Sequence, residues 1–273
     1  MSQRPANQIR PRFLLLTGLL LAMVVAGSVF AFLHGMKATQ EDNTNSIKAT
    51  GTARTAGTTA YMATATALAR ATANAQKLLA NPYPPYGGTV ALDDSLRDNS
   101  KGYRWEIGSD DDGICQFSNA AYVVDTAKTA YVQYCKAATS PGHFTSFAYQ
   151  VQMTIIKGDR GGLTFLVNDA HKTFYYFGIG QDGSYILDFF SGENAIILLK
   201  GVASALIHTG LNSSNLVAVV LTGSAVDLYV NMHWIVRTSN IIVSPNCLVG
   251  LAAQDRMNHT EVVFNDAVVW ALP

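Results

Sequence analysis

The feature that most constrains this chain is the run from Phe144 to Phe190, FTSFAYQVQMTIIKGDRGGLTFLVNDAHKTFYYFGIGQDGSYILDFF. It divides into four segments, Phe144–Lys157, Gly162–Asn168, Thr173–Gly180 and Ser184–Phe190. Their separators, around Gly158-Asp159, Asp169–Lys172 and Gln181-Asp182-Gly183, carry the Gly, Asp and Asn that tight connections require. Within the segments β-branched and aromatic residues dominate, which suits a pleated, half-buried surface and not a helix. The run therefore predicts an antiparallel meander at the centre of a β-sandwich. Further strand-like pieces surround it: Ile114–Asn119, Ala121–Val124, Ala130–Ala137, Ala195–Lys200, Asn215–Thr222, Ala225–Asn231, His233–Val236, Leu248–Ala253 and Glu261–Ala271. So many short strands, with no long helical pattern, predict an all-β domain of two antiparallel sheets over residues 83–273.

The N-terminal part reads differently. Residues 1–12 are polar and carry Arg4, Arg10 and Arg12 with no acid, a short cytoplasmic stub. Phe13–Leu33 is a run of 21 residues without a charge, long enough to cross a bilayer as a helix. Residues 13–34 are therefore expected to be a transmembrane helix or signal anchor, with the arginines holding the N-terminus inside. Cleavage after Val29-Phe30-Ala31 is the competing reading, and either way the remainder of the chain is exported. Residues 35–82 form an Ala/Thr-rich, low-complexity stalk ended by the Pro/aromatic cluster Asn81–Gly88.

The residues of the exported part resemble the concanavalin A-like lectin/glucanase sandwich, and most of all the extracytoplasmic 3-keto-disaccharide hydrolase (DUF1080-like) domains of soil bacteria. The matching pieces include Leu92-Asp93-Asp94 with Trp105, the long strand Phe147–Ile155, Gly161–Phe165, Tyr175–Phe177 followed by Gln181–Tyr185, and Glu261–Asn265. The resemblance implies a jelly-roll sandwich that takes a carbohydrate. One departure bears on catalysis. Relatives with hydrolase activity carry Arg directly after the Gly-Gly-x-x-Phe strand, whereas this chain has Phe165-Leu166. Losing a charged donor there weakens any contact to a sugar hydroxyl.

Glycoside hydrolysis needs two carboxylates across a sugar bond. The chain has only Glu41, Glu106, Glu193 and Glu261, far apart, and the Glu-x-Asp-x-x-Glu strand motif is absent. No Gly-x-Ser-x-Gly elbow is present either. Lys and Arg number 19, as do Asp and Glu, so charge offers no nucleic-acid footprint. No cofactor is expected. Asp110-Asp111-Asp112 is the one candidate for calcium, but its spacing is not that of a calcium loop and it reads as a solvated turn. Asp93 and Asp94 read as satisfying nearby backbone donors.

The aromatics offer more. Tyr176 and Tyr185 flank the Gln181–Gly183 turn and can be counted onto one sheet face, and Trp234 comes just after a turn near a sheet edge. These three rings are expected to form a sugar-stacking platform, with Gln181 and Asp188 as rim hydrogen-bonding groups. Cys115 and Cys135, in neighbouring strand-like segments of an exported domain, are expected to form a disulfide, leaving Cys247 buried and free. The reading is thus a membrane-anchored, surface-exposed domain that binds a carbohydrate or cell-wall ligand. The alternatives are a hydrolase of a small glycoside and a structural or protein-contact module.

Overall fold

The computed structural model describes residues 80–139, 145–243 and 248–273. The expected stub, the membrane segment, nearly all of the stalk, Phe144 and Cys247 lie outside these residues. The described chain contains no helix. It runs through β1 (Thr89–Asp94), β2 (Gly108–Ser109), β3 (Ile114–Ser118), β4 (Ala121–Thr126), β5 (Tyr131–Lys136), β6 (Phe147–Lys157), β7 (Arg160–Asn168) and β8 (Thr173–Gly180). After these come β9 (Ser184–Ser191), β10 (Asn194–Val202), β11 (Ser214–Thr222), β12 (Ala225–Val230), β13 (His233–Thr238), β14 (Leu248–Asp255) and β15 (Thr260–Ala271).

Two antiparallel sheets result. A nine-stranded sheet has the order β13-β12-β11-β6-β15-β4-β3-β2, with β1 also paired to β15. A six-stranded sheet has the order β10-β9-β8-β7-β14-β5. The expected four-segment meander is thereby corrected. Strands β7, β8 and β9 are consecutive neighbours, but β6 belongs to the other sheet. The separator that reads as a hairpin turn instead carries the chain between sheets. Gly158 sits there at φ 88°, where a side chain would collide with Thr260. Asp159 then accepts backbone N–H bonds from Arg256, Met257 and Asn258 at 2.8, 2.8 and 3.0 Å, which fastens the crossing to the β14–β15 loop.

Alternation sorts the side chains. Strand β6 sends Phe147, Tyr149, Val151, Met153 and Ile155 into the space between the sheets. Tyr175, Phe177 and Ile179 meet them from β8. Leu166 explains its own departure from the resembling family. It takes φ 51° at a bulge in β7, so that Phe165 and Leu166 both point into this core. A charged residue there would be buried in the sandwich interior. Asp94 takes N–H bonds from Leu96 and from the Trp105 indole at 2.9 and 3.1 Å.

The outer face of the nine-stranded sheet carries a second cluster in which Tyr83 packs against Tyr229, Trp270 and Leu272. Of the tyrosines in the Pro/aromatic cluster, Tyr83 is buried and Tyr86 is exposed. Cys115 on β3 and Cys135 on β5 are bonded across the sandwich edge, Cα to Cα 5.9 Å, so the disulfide joins one sheet to the other.

Candidate functional site

The six-stranded sheet buries side chains on both faces, and its outer face is where the polar groups collect. The register defines rows across it. One row reads Lys136, Gly250, Thr164, Tyr176, Asp188 and Ile197 from β5 to β10. The next reads Tyr134, Ala252, Gly162, Gly178, Ile186 and Lys200. Three central strands thus contribute nothing larger than a methyl group to that second row. A trench opens there, and the Tyr176 ring lies along it, since a Cβ on Gly178 would strike its phenol oxygen.

The sheet curls around this trench. Tyr134 on β5 and Phe174 on β8 are three strand spacings apart in the sheet order, roughly 14 Å if flat. Their rings nevertheless approach to 4.4 Å between centroids. Phe174 in turn stacks on Phe190 at 4.5 Å with 5° between the planes. The outcome is a continuous aromatic wall over a concave face. Beside it lies a cavity of about 500 Å³, lined in part by Tyr131, Tyr134, Phe174, Phe190, Asp188 and Glu193.

Among the described residues, five buried side-chain polar atoms have no hydrogen-bond partner, and four of them belong to this face: Arg160 Nε, Thr164 Oγ1, Tyr176 Oη and Asp188 Oδ1. Buried polar atoms are ordinarily satisfied, so four without a protein partner on one sheet face set it apart from the rest of the described domain. Arg160 donates Nη1 to Gln254 and Nη2 to Ser184, at 3.1 and 2.8 Å, and forms no ion pair with Asp188. Asp188 is 3% exposed. Burial pushes its carboxyl up from 3.8 to about 6, with the Arg160 charge pulling the other way. Burial likewise raises the Tyr176 phenol well above its ordinary range.

The structure brings together two of the five residues expected in the site. Tyr176 and Asp188 are cross-strand partners on the concave face. Tyr176 is fully buried, however, so it is a floor and not an exposed platform. Tyr185 pairs with Ile179 and packs toward the interior core, on the opposite face from Tyr176. Gln181 turns away to donate to the Gly158 carbonyl at 2.9 Å. Trp234 stands 54% exposed on β13, the edge of the other sheet, and donates to Asp227 at 3.0 Å. The three-ring platform is therefore corrected: two rings lie on opposite faces of one sheet and the third on another sheet. Asp110 closes its own turn, accepting N–H bonds from Asp112 and Gly113. No group of three or more acidic, His or Cys side chains is placed to hold a metal among the described residues.

Sequence reasoning passed over Arg160, Thr164 and Tyr134, and set Glu193 aside as an isolated glutamate. Their signal was the set of glycines inside strands, Gly162, Gly178 and Gly250, all on one face and all with a tight neighbour.

No protein-family model matches the chain, and no curated protein matches its sequence. Solved structures do. The carbohydrate binding module CBM66 from Bacillus subtilis is 13% identical, with a TM-score of 0.50 over 61% of this chain and 95% of that one. A Bacillus subtilis protein of unknown function with a galectin-like fold is 11% identical, with a TM-score of 0.49 over 67% of this chain and 96% of that one. The Bacillus licheniformis β-glucanase is 9% identical, with a TM-score of 0.48 over 68% of this chain and 99% of that one. At such identities the likeness concerns the fold alone, a sandwich of two antiparallel sheets.

Proposed function

We propose that the domain binds a carbohydrate in the concave cavity of the six-stranded sheet and does so without catalysis. The observation that supports this is an aromatic wall set beside a buried carboxylate with a free oxygen. A sugar ring offers an apolar C–H face to aromatic rings and a rim of hydroxyls to polar groups, so it uses both. The cavity volume of about 500 Å³ falls in the range of small-molecule sites. The test is a glycan array with the full chain, followed by affinity measurements on Tyr134→Ala and Phe190→Ala. Each variant is expected to weaken binding tenfold or more, about 1–3 kcal/mol, while keeping its melting transition. Absence of any bound glycan, or unchanged affinity in both variants, sinks the proposal.

Hydrolysis of a small glycoside is the second reading, favoured by an Asp188 carboxyl that titrates near pH 6 in a cavity shared with Glu193. Sugar released from a bound glycan, and lost in Asp188→Asn, selects it over binding. Silence in both assays leaves a structural or protein-contact module.

The address is part of the same proposal: residues 13–34 anchor the protein in the cell membrane, N-terminus inside, and residues 35–82 hold the sandwich outside. The arginines before residue 13 and the Cys115–Cys135 bond, at home in an oxidising compartment, support it. A C-terminal tag should be digested by protease added to spheroplasts, and its protection would overturn this topology.

A further inference from the structure

Building on the carbohydrate reading, we propose that the cavity selects a glycan with a free primary amine, a glucosamine-type sugar lacking its N-acetyl group, and holds the ammonium between Asp188, Glu193 and the aromatic wall.

The charges around the cavity are unequally matched. Three carboxylates line it, Asp112, Asp188 and Glu193, against one ammonium, Lys128. Lys128 is committed to Asp112 at 2.7 Å. Of the other cations on this face, Lys200 is exposed at the β10 edge opposite Ile186, and the remaining two are committed. Lys136 is tied to Asp169 and Glu106 at 2.6 and 3.3 Å, and Arg160 spends its terminal nitrogens on Gln254 and Ser184. Asp188 and Glu193 are thus left without an ion-pair partner among the described residues. For exposed Glu193 that costs little, because water solvates it. For Asp188 it costs more, since a buried carboxylate with a free oxygen is poorly solvated by anything else in the fold.

The chemical class is set by what would satisfy that oxygen. A carboxylate-bearing sugar would meet Asp188 with like charge. A neutral hydroxyl would give one hydrogen bond and leave the charge uncompensated. An ammonium gives a charge-assisted bond and also favours aromatic faces. The cavity already shows this combination at work. The Lys128 ammonium lies 4.3 Å from the centroid of the Tyr131 ring while bonded to Asp112, both of them lining residues. One primary ammonium is thus held on the cavity rim by an acid and a ring, and the acid and rings deeper in the cavity have none.

Titration gives the inference a distinctive signature. The groups facing Asp188 are Arg160 from β7, Tyr176 from β8, Ile197 and Lys200 from β10, and Glu193, Asp112 and Lys128 around the cavity. Burial moves Asp188 into the weakly acidic range, where it gains charge as pH rises through about 6. The ligand amine loses its charge at roughly pH 8, as amines of lowered basicity do. Affinity for an amino sugar should therefore be bell-shaped in pH, whereas a neutral sugar should show no alkaline limb.

The experiment is calorimetric titration of the full chain with glucosamine oligomers, their N-acetylated counterparts, an oligomer of a uronic acid and a lysine oligomer. The expected result is at least a tenfold preference for the free amine over the N-acetylated sugar, about 1.4 kcal/mol. Asp188→Asn should erase that preference. Glu193→Gln, at an exposed position where folding is not at stake, should reduce it. Equal affinity for the amine and N-acetyl sugars, or tighter binding of the uronate, overturns the inference while leaving carbohydrate binding intact. A lysine oligomer that binds more tightly than the amino sugar overturns a sugar as the source of the ammonium. Binding of no sugar by a chain with a cooperative melting transition removes the underlying reading, and this inference with it.

Discussion

Replacing Tyr176 with alanine is expected to lower stability by about 3–5 kcal/mol, the loss typical of an aromatic ring removed from a packed site. The ring is fully buried, lies along the trench over Gly178 and packs with Phe174, Ile186 and Ala252. None of the small residues beneath it can expand to fill the hole. Tyr176→Phe should behave in the opposite sense, staying neutral or gaining slightly, because it removes a buried hydroxyl with no partner. Trp234→Ala should cost less than about 1 kcal/mol, as expected for a half-exposed side chain. Chemical denaturation of the three variants measures all of this. A loss below 1 kcal/mol for Tyr176→Ala would return that ring to solvent and reopen its use as a stacking surface.

Removing the Cys115–Cys135 bond through a double serine variant should cost roughly 3 kcal/mol, the chain-entropy value for a loop closed over 20 residues. The effect is sharpened by where the bond lies. It links β3 of the nine-stranded sheet to β5, the edge of the six-stranded one, two strands that share no backbone ladder. An unchanged denaturation midpoint, with the wild-type bond verified by non-reducing peptide mapping, would contradict this account.

Much of the sandwich is legible in the chain because period-two alternation is a direct projection of the pleat. That Tyr175, Phe177 and Ile179 share one face and Phe174 and Tyr176 the other can be read from the letters alone, while the structure shows the first set inward. What alternation lacks is an absolute reference across a turn. Ile179 pairs with Tyr185, so Tyr185 falls on the inner face, three residues out of step with Tyr176. A register displaced by one residue would have placed both together. Gly158-Asp159 fails for a different reason. Its residues suit a hairpin, and only the capture of Asp159 by a loop about a hundred residues further along the chain sends the strand into the other sheet. Long-range contacts of that kind leave no local trace. The concave cavity is hidden likewise, since it depends on curvature that brings Tyr134 over to Phe174. The in-strand glycines are its single local sign.

The position of the disulfide has a mechanical consequence. Strand β5 is six residues long, stands at a sheet edge and carries Tyr131, Tyr134 and the bonded Cys135. An edge strand loaded from one end comes away by peeling, breaking its ladder hydrogen bonds one at a time under a small force. Here a pull applied at Tyr134 passes after one residue into a covalent bond and from there into β3 of the opposite sheet. The load is then shared between both sheets. A wall held in this way can grip a tethered or moving ligand without unzipping.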